Sequence, residues 1–364
     1  MPGLRKGVSV KILQVYKDIF PEVHGGIERH IYDLSQFLVS RGHSVEVLVA
    51  GGGNRDVDGL AVKGIWSPAR VLSNPVVPGF SRFLAGTDAD VVHFHLPLPS
   101  AVLAWAVLKK KKPYVVTYHS DIVRQAFVMP VYGPVLGRFL AGARSVIVSS
   151  DNYIRTSPYL RDLHNTQTIP IGADLERFKP GGTAGKAYYL FVGRFRRYKG
   201  IFVLLDAWRK MENPPDLILA GGGGLEKKVN AFISEHHLPV SVVTNVSDEE
   251  LISLYQGAKA LILPSIQRSE AFGMVQVEAM ACGAAVISSN LPTGVSWVNS
   301  HGETGLLFTP GDSSDLCRAV ARFEESETMR AAMYTQARNR AEALFNSRTL
   351  LKRVEECLIE ATVI

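Results

Sequence analysis

Several features that would narrow the function of this 364-residue chain are missing from it. No run of about 18 or more apolar residues occurs, so a transmembrane helix is not expected. Residues 1–10 lack the apolar core and cleavage pattern of a secretion signal, so we expect a cytoplasmic location. The three cysteines have no C-x-x-C spacing, which favours reduced thiols and provides no metal framework.

Two ligand-binding patterns are also missing. The sequence contains no G-x-G-x-x-G, which excludes the dinucleotide fingerprint. It has no basic stripe interleaved with aromatic residues, so a nucleic-acid partner is not expected. What remains is a globular composition, 46% hydrophobic and 20% charged, in a chain long enough for two domains of roughly 180 residues.

Positive charge is concentrated in the first half of the chain. Residues 1–180 hold 21 Lys and Arg against 14 Asp and Glu, whereas residues 181–364 hold 19 against 20. The densest patch is Lys109–Lys112. It is interpreted either as a solvated helix end or as a docking site for an anionic membrane, where each lysine would contribute roughly 1 kcal/mol. The second interpretation would make the protein peripheral on the inner face of the cytoplasmic membrane.

Alternating strand and helix signals predict an α/β fold throughout. A strand at 8–16, glycines at 25 and 26, a helix and a strand at 44–50 open the chain. A linker-like stretch at 169–185 precedes the second domain, in which Ser247 and Glu250 form a capping box. Further strands are predicted at 91–95, 114–119, 145–149, 167–171, 188–192, 216–220 and 240–244, and helices at about 98–110, 131–142, 199–211 and 225–237.

The most informative stretch runs from Ser265 to Asn290. An apolar strand ends at Pro264, a helix is predicted from Phe272 to Cys282, and another strand begins at Ala285. Glu270 lies in the loop and Glu278 in the helix. Paired carboxylates accept hydrogen bonds from a polyol, and free N–H groups at a helix start suit hydroxyl or phosphate oxygens.

The spacing of these two glutamates, E-x-F-G-x-x-x-x-E, resembles the Glu-x7-Glu signature of retaining glycosyltransferases of family 4. In that family the first glutamate binds the transferred sugar and the second binds the ribose of the donor. The resemblance therefore implies these roles for Glu270 and Glu278. It also implies donor contacts from the backbone of the residues between them, which are Ala271, Phe272, Gly273 and Met274.

Two further motifs match the donor-binding pattern of the same family. Arg194 and Lys199 resemble its G-R-x…K-G loop, which implies that they contact the donor diphosphate. Gly25 and Gly26 resemble its G-G-x-E-R loop, which implies backbone contacts to donor phosphate. Arg29, in the first helical turn, is a candidate acceptor contact.

A third motif, Thr117 to Asp121, resembles the T-x-H of the family. It implies that His119 supports the oxocarbenium charge without acting as a nucleophile, and that Asp121 holds the acceptor or orients the loop. The proposed catalytic residues are therefore His119, Glu270, Arg194 and Lys199.

A metal site is not expected. His93 and His95 share one strand face but lack a third ligand at a recognisable spacing. Two D-x-D sequences, Asp56–Asp58 and Asp88–Asp90, are interpreted as loop carboxylates. Cationic side chains are available to offset the charge of a diphosphate, so no metal cofactor is predicted.

Taken over nearly the whole chain, the resemblance implies the GT-B fold, with two Rossmann-like doubly wound domains facing a central cleft. The expected boundaries are an acceptor-binding domain at 1–180, a nucleotide-sugar-binding domain at 181–345 and a helix at 346–364 that returns to the first domain. The implied activity is retaining, metal-independent hexosyl transfer to an oligosaccharide or lipid-linked acceptor.

The donor is less strongly encoded. The stretch at 293–299 looks most like mannosyl-transferring polysaccharide enzymes, which favours GDP-mannose and leaves UDP-sugars as the alternative. A nucleotide-sugar epimerase of the same fold and a non-catalytic sugar-nucleotide-binding module also remain open.

Overall fold

Two compact units make up the computed structural model, which describes residues 9–71, 74–109, 111–122, 129–181 and 186–363. The first unit lies within residues 1–149, 157–169 and 351–364. The second lies within residues 150–156 and 170–350. Each unit is an α/β sandwich built on its own sheet, in the order strand, helix, strand that the sequence predicts.

The first unit contains an eight-stranded sheet in the order β10-β9-β8-β7-β1-β2-β4-β3, in which only β3 runs antiparallel to its neighbour. A separate two-stranded antiparallel sheet of β5 and β6 accompanies it. The strands are β1 (Lys11–Val15), β2 (Ser44–Ala50), β3 (Asn54–Val57), β4 (Leu60–Ile65), β5 (Ala69–Val71), β6 (Asn74–Val76), β7 (Val91–Leu96), β8 (Tyr114–Tyr118), β9 (Ser145–Val148) and β10 (Thr166–Thr168).

Helices pack on both faces of this sheet, so its central strands are buried on both sides. All six residues of β7 are buried, as expected for a parallel strand between two helical layers. The first helix places Ile31, Leu34 and Leu38 on one buried face. The helices are α1 (Gly26–Ser40), α2 (Phe80–Gly86), α3 (Pro99–Ala106), α4 (Met129–Ala141) and α5 (Asp151–Thr156), of which α5 belongs to the second unit.

The second unit contains a six-stranded, wholly parallel sheet in the order β13-β12-β11-β14-β15-β16. Its strands are β11 (Tyr188–Val192), β12 (Leu217–Ala220), β13 (Val240–Val243), β14 (Ala258–Leu263), β15 (Ala285–Ser289) and β16 (Gly305–Phe308). Its helices are α6 (Ile201–Lys210), α7 (Glu226–Glu235), α8 (Asp248–Gly257), α9 (Met274–Ala281), α10 (Val295–Val298), α11 (Ser313–Glu324) and α12 (Glu327–Leu344).

The last helix, α13 (Ser347–Thr362), begins in the second unit, and its residues from Leu351 onward belong to the first. A buried polar contact fixes it there. Nε2 of His43 lies 3.0 Å from Oε1 of Glu355, and both side chains are almost fully buried. The ring Nδ1 accepts a hydrogen bond from the N–H of Val10, so Nε2 carries the proton donated to the carboxylate.

Both parallel sheets place ligand-accessible loops at the carboxyl ends of their strands, above the point where the strand order reverses. In the first sheet this point lies between β1 and β7, and in the second it lies between β11 and β14. The residues that the sequence motifs single out lie in the loops that follow β1, β8, β11 and β14 and in the helices α1 and α9 that these loops lead into.

Most predicted elements are present, and the differences have local causes. The capping box at Ser247 is confirmed. The strand expected at 167–171 ends at Thr168, because Pro170 has no N–H to pair. The helix expected to start at 199 starts at Ile201, after a 3₁₀ turn and a left-handed Gly200. The interpretation of Asp56 as a loop carboxylate is wrong, since Asp56 lies within β3.

The described residues contain no helix long and apolar enough to cross a bilayer. The three cysteines are free thiols, and Cys282 and Cys357 are buried.

Replacing Glu355 by Ala should lower the free energy of unfolding by about 2 kcal/mol, because it leaves the buried His43 N–H without an acceptor. Urea unfolding of the variant measures this. Glu356→Ala is the matched control, since Glu356 is the neighbouring helix residue and makes only a loose pair with Lys352 at 3.9 Å. Equal effects of the two substitutions would contradict the role assigned to the buried contact.

Candidate active site

A lysine and a glutamate from two separate loops meet where the strand order of the second sheet reverses. Lys199 follows β11 and Glu270 follows β14, and Nζ of the lysine lies 2.6 Å from Oε2 of the glutamate. Their side chains are 13% and 10% exposed, so the pair is largely shielded from water. The structure therefore brings together the two residues for which the sequence motifs imply contacts to the sugar and the diphosphate.

Charge on this lysine is maintained despite its burial. Burial acts to lower the pKa of Lys199, but the adjacent Glu270 carboxylate and Tyr198 more than offset it, and the pKa is raised above its usual value. Lys199 is therefore a cation at neutral pH. A buried cation in a low-dielectric site interacts strongly with any anion that enters.

Neighbouring hydroxyl groups fix the position of Glu270. Ser265 donates a hydrogen bond to the same carboxylate oxygen, Oε2, at 2.9 Å, and Thr293 donates to the backbone carbonyl of Glu270 at 2.9 Å. Both hydroxyl residues are fully buried. None of the described residues makes a hydrogen bond to the second carboxylate oxygen, Oε1, which leaves it as an acceptor for a ligand hydroxyl.

Gly200 allows the two loops to approach this closely. Its backbone is left-handed, with φ of 70°, and a Cβ there would overlap the carbonyl oxygen of Pro264. The N–H of Ile266 donates to the carbonyl of Tyr198 at 2.8 Å and connects the same loops. These two backbone contacts between the loops hold the lysine and the glutamate next to each other.

The loop between the two glutamates turns directly into α9. Gly273 is left-handed, with φ of 75°, and Met274 is the first helical residue, so the helix N-terminus faces the same edge of the sheet. The carbonyl of Ala271 accepts a hydrogen bond from the N–H of Gly294 at 2.7 Å. Phe272 is buried in the core, so a ligand can meet its backbone but not its ring.

Arg194 belongs to the same loop as Lys199, and Glu278 lies on the helix that follows Glu270. Tyr255 donates a hydrogen bond to Oε2 of Glu278 at 2.6 Å, and the glutamate is partly buried on α9. Arg194 is exposed in the loop after β11. Both residues therefore lie in segments that follow the carboxyl ends of β11 and β14.

The first unit holds the other predicted site residues. Gly25 is the N-cap of α1, and a Cβ there would collide with the carboxylate of the buried Glu28. Gly26 is the first residue of that helix. Arg29 pairs with Asp33 at 2.9 Å and stacks over the ring of Phe20.

His119 and Asp121 follow β8. The His119 ring is buried, and its Nε2 lies 3.0 Å from Nδ1 of His95. Burial, together with His30, His93 and Lys17 nearby, holds the pKa of His119 well below its usual range, so the ring is neutral. Asp121 accepts hydrogen bonds from Tyr118 and Ser157, which favours orientation of the loop as its role.

The residues considered as metal ligands in the sequence are hydrogen-bonded to other residues of the protein. Nε2 of His93 lies 2.7 Å from the hydroxyl of Thr117. Asp88 and Asp90 accept hydrogen bonds from the side chain and the N–H of Lys11, respectively. Across the described ranges, no cluster of three or more His, Cys, Asp or Glu side chains is arranged to hold a metal ion.

Ser265, Thr293 and Tyr255 contact the site but were not identified from the sequence. Ser265 and Thr293 adjoin prolines at loop starts, where hydroxyl residues are common for backbone reasons alone. Tyr255 lies on an ordinary amphipathic helix. Gln14 and His95 could have been recognised as site residues from the sequence, because each is a polar side chain inside a predicted strand that is mostly apolar.

A buried cation and a carboxylate at one reversal point, with a helix N-terminus beside them, can bind a diphosphate and a sugar hydroxyl together. Two doubly wound α/β units with this site define a glycosyltransferase of the GT-B class. Family models give the same result, matching "Glycosyltransferase Family 4" over residues 24–177 and "Glycosyl transferases group 1" over residues 173–340. The chain belongs to this family of glycosyltransferases.

Curated relatives span nearly the full chain. It is 31% identical to O-antigen chain mannosyltransferase C of Escherichia coli, covering 93% of this chain and 95% of that protein. It is 33% identical to the D-rhamnosyltransferase WbpZ of Pseudomonas aeruginosa, covering 93% of each. Among solved structures, sucrose-phosphate synthase of Thermosynechococcus elongatus has the same fold, with a TM-score of 0.80 at 22% identity, covering 97% of this chain and 99% of that one.

Substituting Gly200 by Ala should destabilise the protein by about 3 kcal/mol, combining left-handed strain with the overlap at Pro264. It should also move Lys199 away from Glu270. Gly311→Ala is the matched control, because Gly311 has φ of 82° with open space around its Cβ position, so that only the strain of about 1 kcal/mol applies. Thermal unfolding compares the two, and similar losses would argue against tight contact between the loops.

Proposed function

We propose that this protein is a retaining, metal-independent glycosyltransferase that moves a hexosyl unit from a nucleoside-diphosphate sugar to a saccharide acceptor. The observation that carries the proposal is the buried Lys199–Glu270 pair at the reversal point of the second sheet. When the anomeric bond breaks, negative charge grows on the departing diphosphate. Lys199 would offset that charge, with Arg194 of the same loop and the N-terminus of α9 contributing.

Contacts around Glu270 support a binding role for it. Its Oε2 is already occupied by Lys199 and Ser265, which leaves Oε1 to accept a hydroxyl of the transferred sugar. A carboxylate held this way is a weak nucleophile. We therefore favour a front-face mechanism, in which the acceptor hydroxyl attacks on the side from which the diphosphate leaves, and the configuration of the anomeric carbon is retained.

GDP-mannose is the donor we propose, with a UDP-sugar as the alternative. The support comes from the relatives that are named as a mannosyltransferase and a rhamnosyltransferase at 31% and 33% identity. In this role Glu278 would bind the ribose hydroxyls, with Tyr255 fixing its orientation. The same relatives support an acceptor of the saccharide class, as in the assembly of a surface polysaccharide or glycolipid.

A polar pocket of about 370 Å³ in the first unit suits such an acceptor. It opens at the carboxyl end of β2 and is lined by two ion pairs, Arg70 with Asp18 and Arg55 with Glu22. Carboxylate and guanidinium groups together accept and donate hydrogen bonds, which is what a sugar with several hydroxyl groups requires. We propose that an acceptor sugar binds there.

Nucleoside-diphosphate release from a panel of GDP- and UDP-sugars, measured with EDTA present, tests the donor and the metal independence together. We expect release from one donor, reduced about 100-fold or more in Glu270→Ala because a transition-state contact is lost. Glu249→Ala, on the exposed first turn of α8, is the control and should behave as wild type. Loss of activity with EDTA would contradict metal independence, and conversion of the donor without diphosphate release would favour an epimerase.

An anionic membrane is the second partner that we propose, at a surface formed by α3, α4 and the segment before β8. Leu103, Val107 and Val131, which lie in or next to α3 and α4, are exposed, and other residues of these two helices line a groove of about 690 Å³. The groove has aromatic walls, and its cations are Lys111, Lys112, Arg138 and Arg144. Lys110, which also belongs to the Lys109–Lys112 run, lies outside the described residues.

Apolar side chains next to cations are the combination that binds an acidic bilayer surface, because the apolar groups enter the interface while the cations meet lipid phosphates. A lipid-linked acceptor would be reached from such a surface. The protein would then be peripheral on the inner face of the cytoplasmic membrane.

Replacing Lys111 and Lys112 by Ser should weaken binding to phosphatidylserine-containing vesicles by roughly 30-fold at low salt, since each lysine contributes about 1 kcal/mol. Vesicle co-sedimentation measures this. Lys227→Ser with Lys228→Ser removes the same charge from an exposed helix of the second unit and should have little effect. Equal losses from both pairs would mean that net charge alone drives binding.

A further inference from the structure

Four polar side chains lie in the interior of the first unit, on strands that are otherwise apolar. Gln14 on β1, and His93 and His95 on β7, are fully buried, and His119 after β8 is 5% exposed. Gln14 is in register with His93, and His95 is in register with Thr117, so these side chains share one face of the sheet. Burying polar groups is costly unless each one is hydrogen-bonded, so their arrangement requires an explanation.

Three of them form a continuous hydrogen-bonded chain. Oε1 of Gln14 lies 2.8 Å from Nε2 of His95, and Nδ1 of His95 lies 3.0 Å from Nε2 of His119. The two imidazole rings are nearly parallel, at 14°, with centroids 5.3 Å apart. His30 of α1 contacts the edges of both rings, and its centroid lies 5.9 Å from that of His119.

The chemistry of these atoms determines where the protons lie. A carboxamide oxygen only accepts hydrogen bonds, so Nε2 of His95 must carry the proton. Burial lowers the pKa of His95, together with its histidine neighbours, so the ring is neutral and its Nδ1 is an acceptor. His119 must then donate from Nε2. Because His119 is also neutral, its Nδ1 carries a lone pair and no proton.

The amide nitrogen of Gln14 contributes nothing to stability here. With Oε1 turned to His95, the Nε2 amide of Gln14 has no hydrogen-bond partner among the described residues. A buried amide with an unsatisfied N–H group is less stable than an apolar side chain of the same size. The amide at this position therefore has a different use.

We propose that Gln14 and His95 are positioning residues that hold His119 in its Nε2–H tautomer. Nδ1 of His119 then has no partner among the described residues, and it is the atom of this ring able to accept a hydrogen bond from a sugar hydroxyl at the carboxyl end of β8. The consequence for catalysis rests on the proposed glycosyl transfer. The tautomer itself does not, and it can be measured on the protein alone.

Nitrogen-15 NMR of the histidine rings tests the assignment without any substitution, because protonated and unprotonated ring nitrogens have widely separated shifts. Loss of one set of signals in His119→Gln assigns the ring. We expect a protonated Nε2 and an unprotonated Nδ1 for His119 in the wild type. The reverse tautomer would overturn the proposal, since it requires Gln14 to donate through its amide.

Gln14→Met removes the acceptor while preserving the shape of the side chain. We expect His119 to lose its single tautomer and kcat for nucleoside-diphosphate release to fall between about 10- and 100-fold, as for other small losses of alignment. The thermal midpoint should change little, because the substitution removes an unsatisfied amide but also leaves the buried N–H of His95 without its acceptor. A lower midpoint with an unchanged tautomer would mean that Gln14 is only structural, and an unchanged kcat would overturn the positioning role.

Thr117→Val is the matched control. It is an isosteric substitution on the same buried face, and it removes the partner of His93 without touching the chain from Gln14 to His119. The tautomer of His119 should be the same as in the wild type. If no donor releases diphosphate with any of these proteins, the proposed function fails, whereas the NMR result still decides the proton positions.

Discussion

The contact between Lys199 and Glu270 is the constraint on which the site of the second unit depends. Opposite charges 2.6 Å apart and largely buried are stable only when the backbone holds both loops in place. Gly200 permits that approach, because any side chain there would overlap the loop after β14. The parallel sheet supplies the rest, since β11 and β14 are adjacent and release both loops at the same edge.

The first unit meets a different constraint, which is the placement of neutral polar rings inside a sheet. His95 and His119 are buried, and burial holds both rings in the neutral form. Neutral imidazole has one donor and one acceptor, so a single fixed acceptor at the far end, Gln14, sets the direction of every hydrogen bond in the chain. A surface histidine would exchange its proton with water, so no distant residue would determine its tautomer.

Much of the fold could be predicted from local patterns. Apolar runs such as Ala260–Leu263 indicated strands, and the capping box at Ser247 marked the start of α8. Boundaries were less accurate where a single residue decided them, as at Pro170 and Gly200. Strands β3 to β6 and helix α2 were not predicted, and Asp56 was wrongly interpreted as a loop residue, because these polar and glycine-rich segments have no clear period.

Sequence alone determined the fold class, the family and the list of candidate residues, because those depend on spacing along the chain. It named Lys199 and Glu270 but could not pair them, since 70 residues separate them and only strand order places them together. It considered His95 solely as a metal ligand, and it passed over Gln14. Tertiary structure decided both roles, because a hydrogen bond between strands depends on register and burial, which no local pattern encodes.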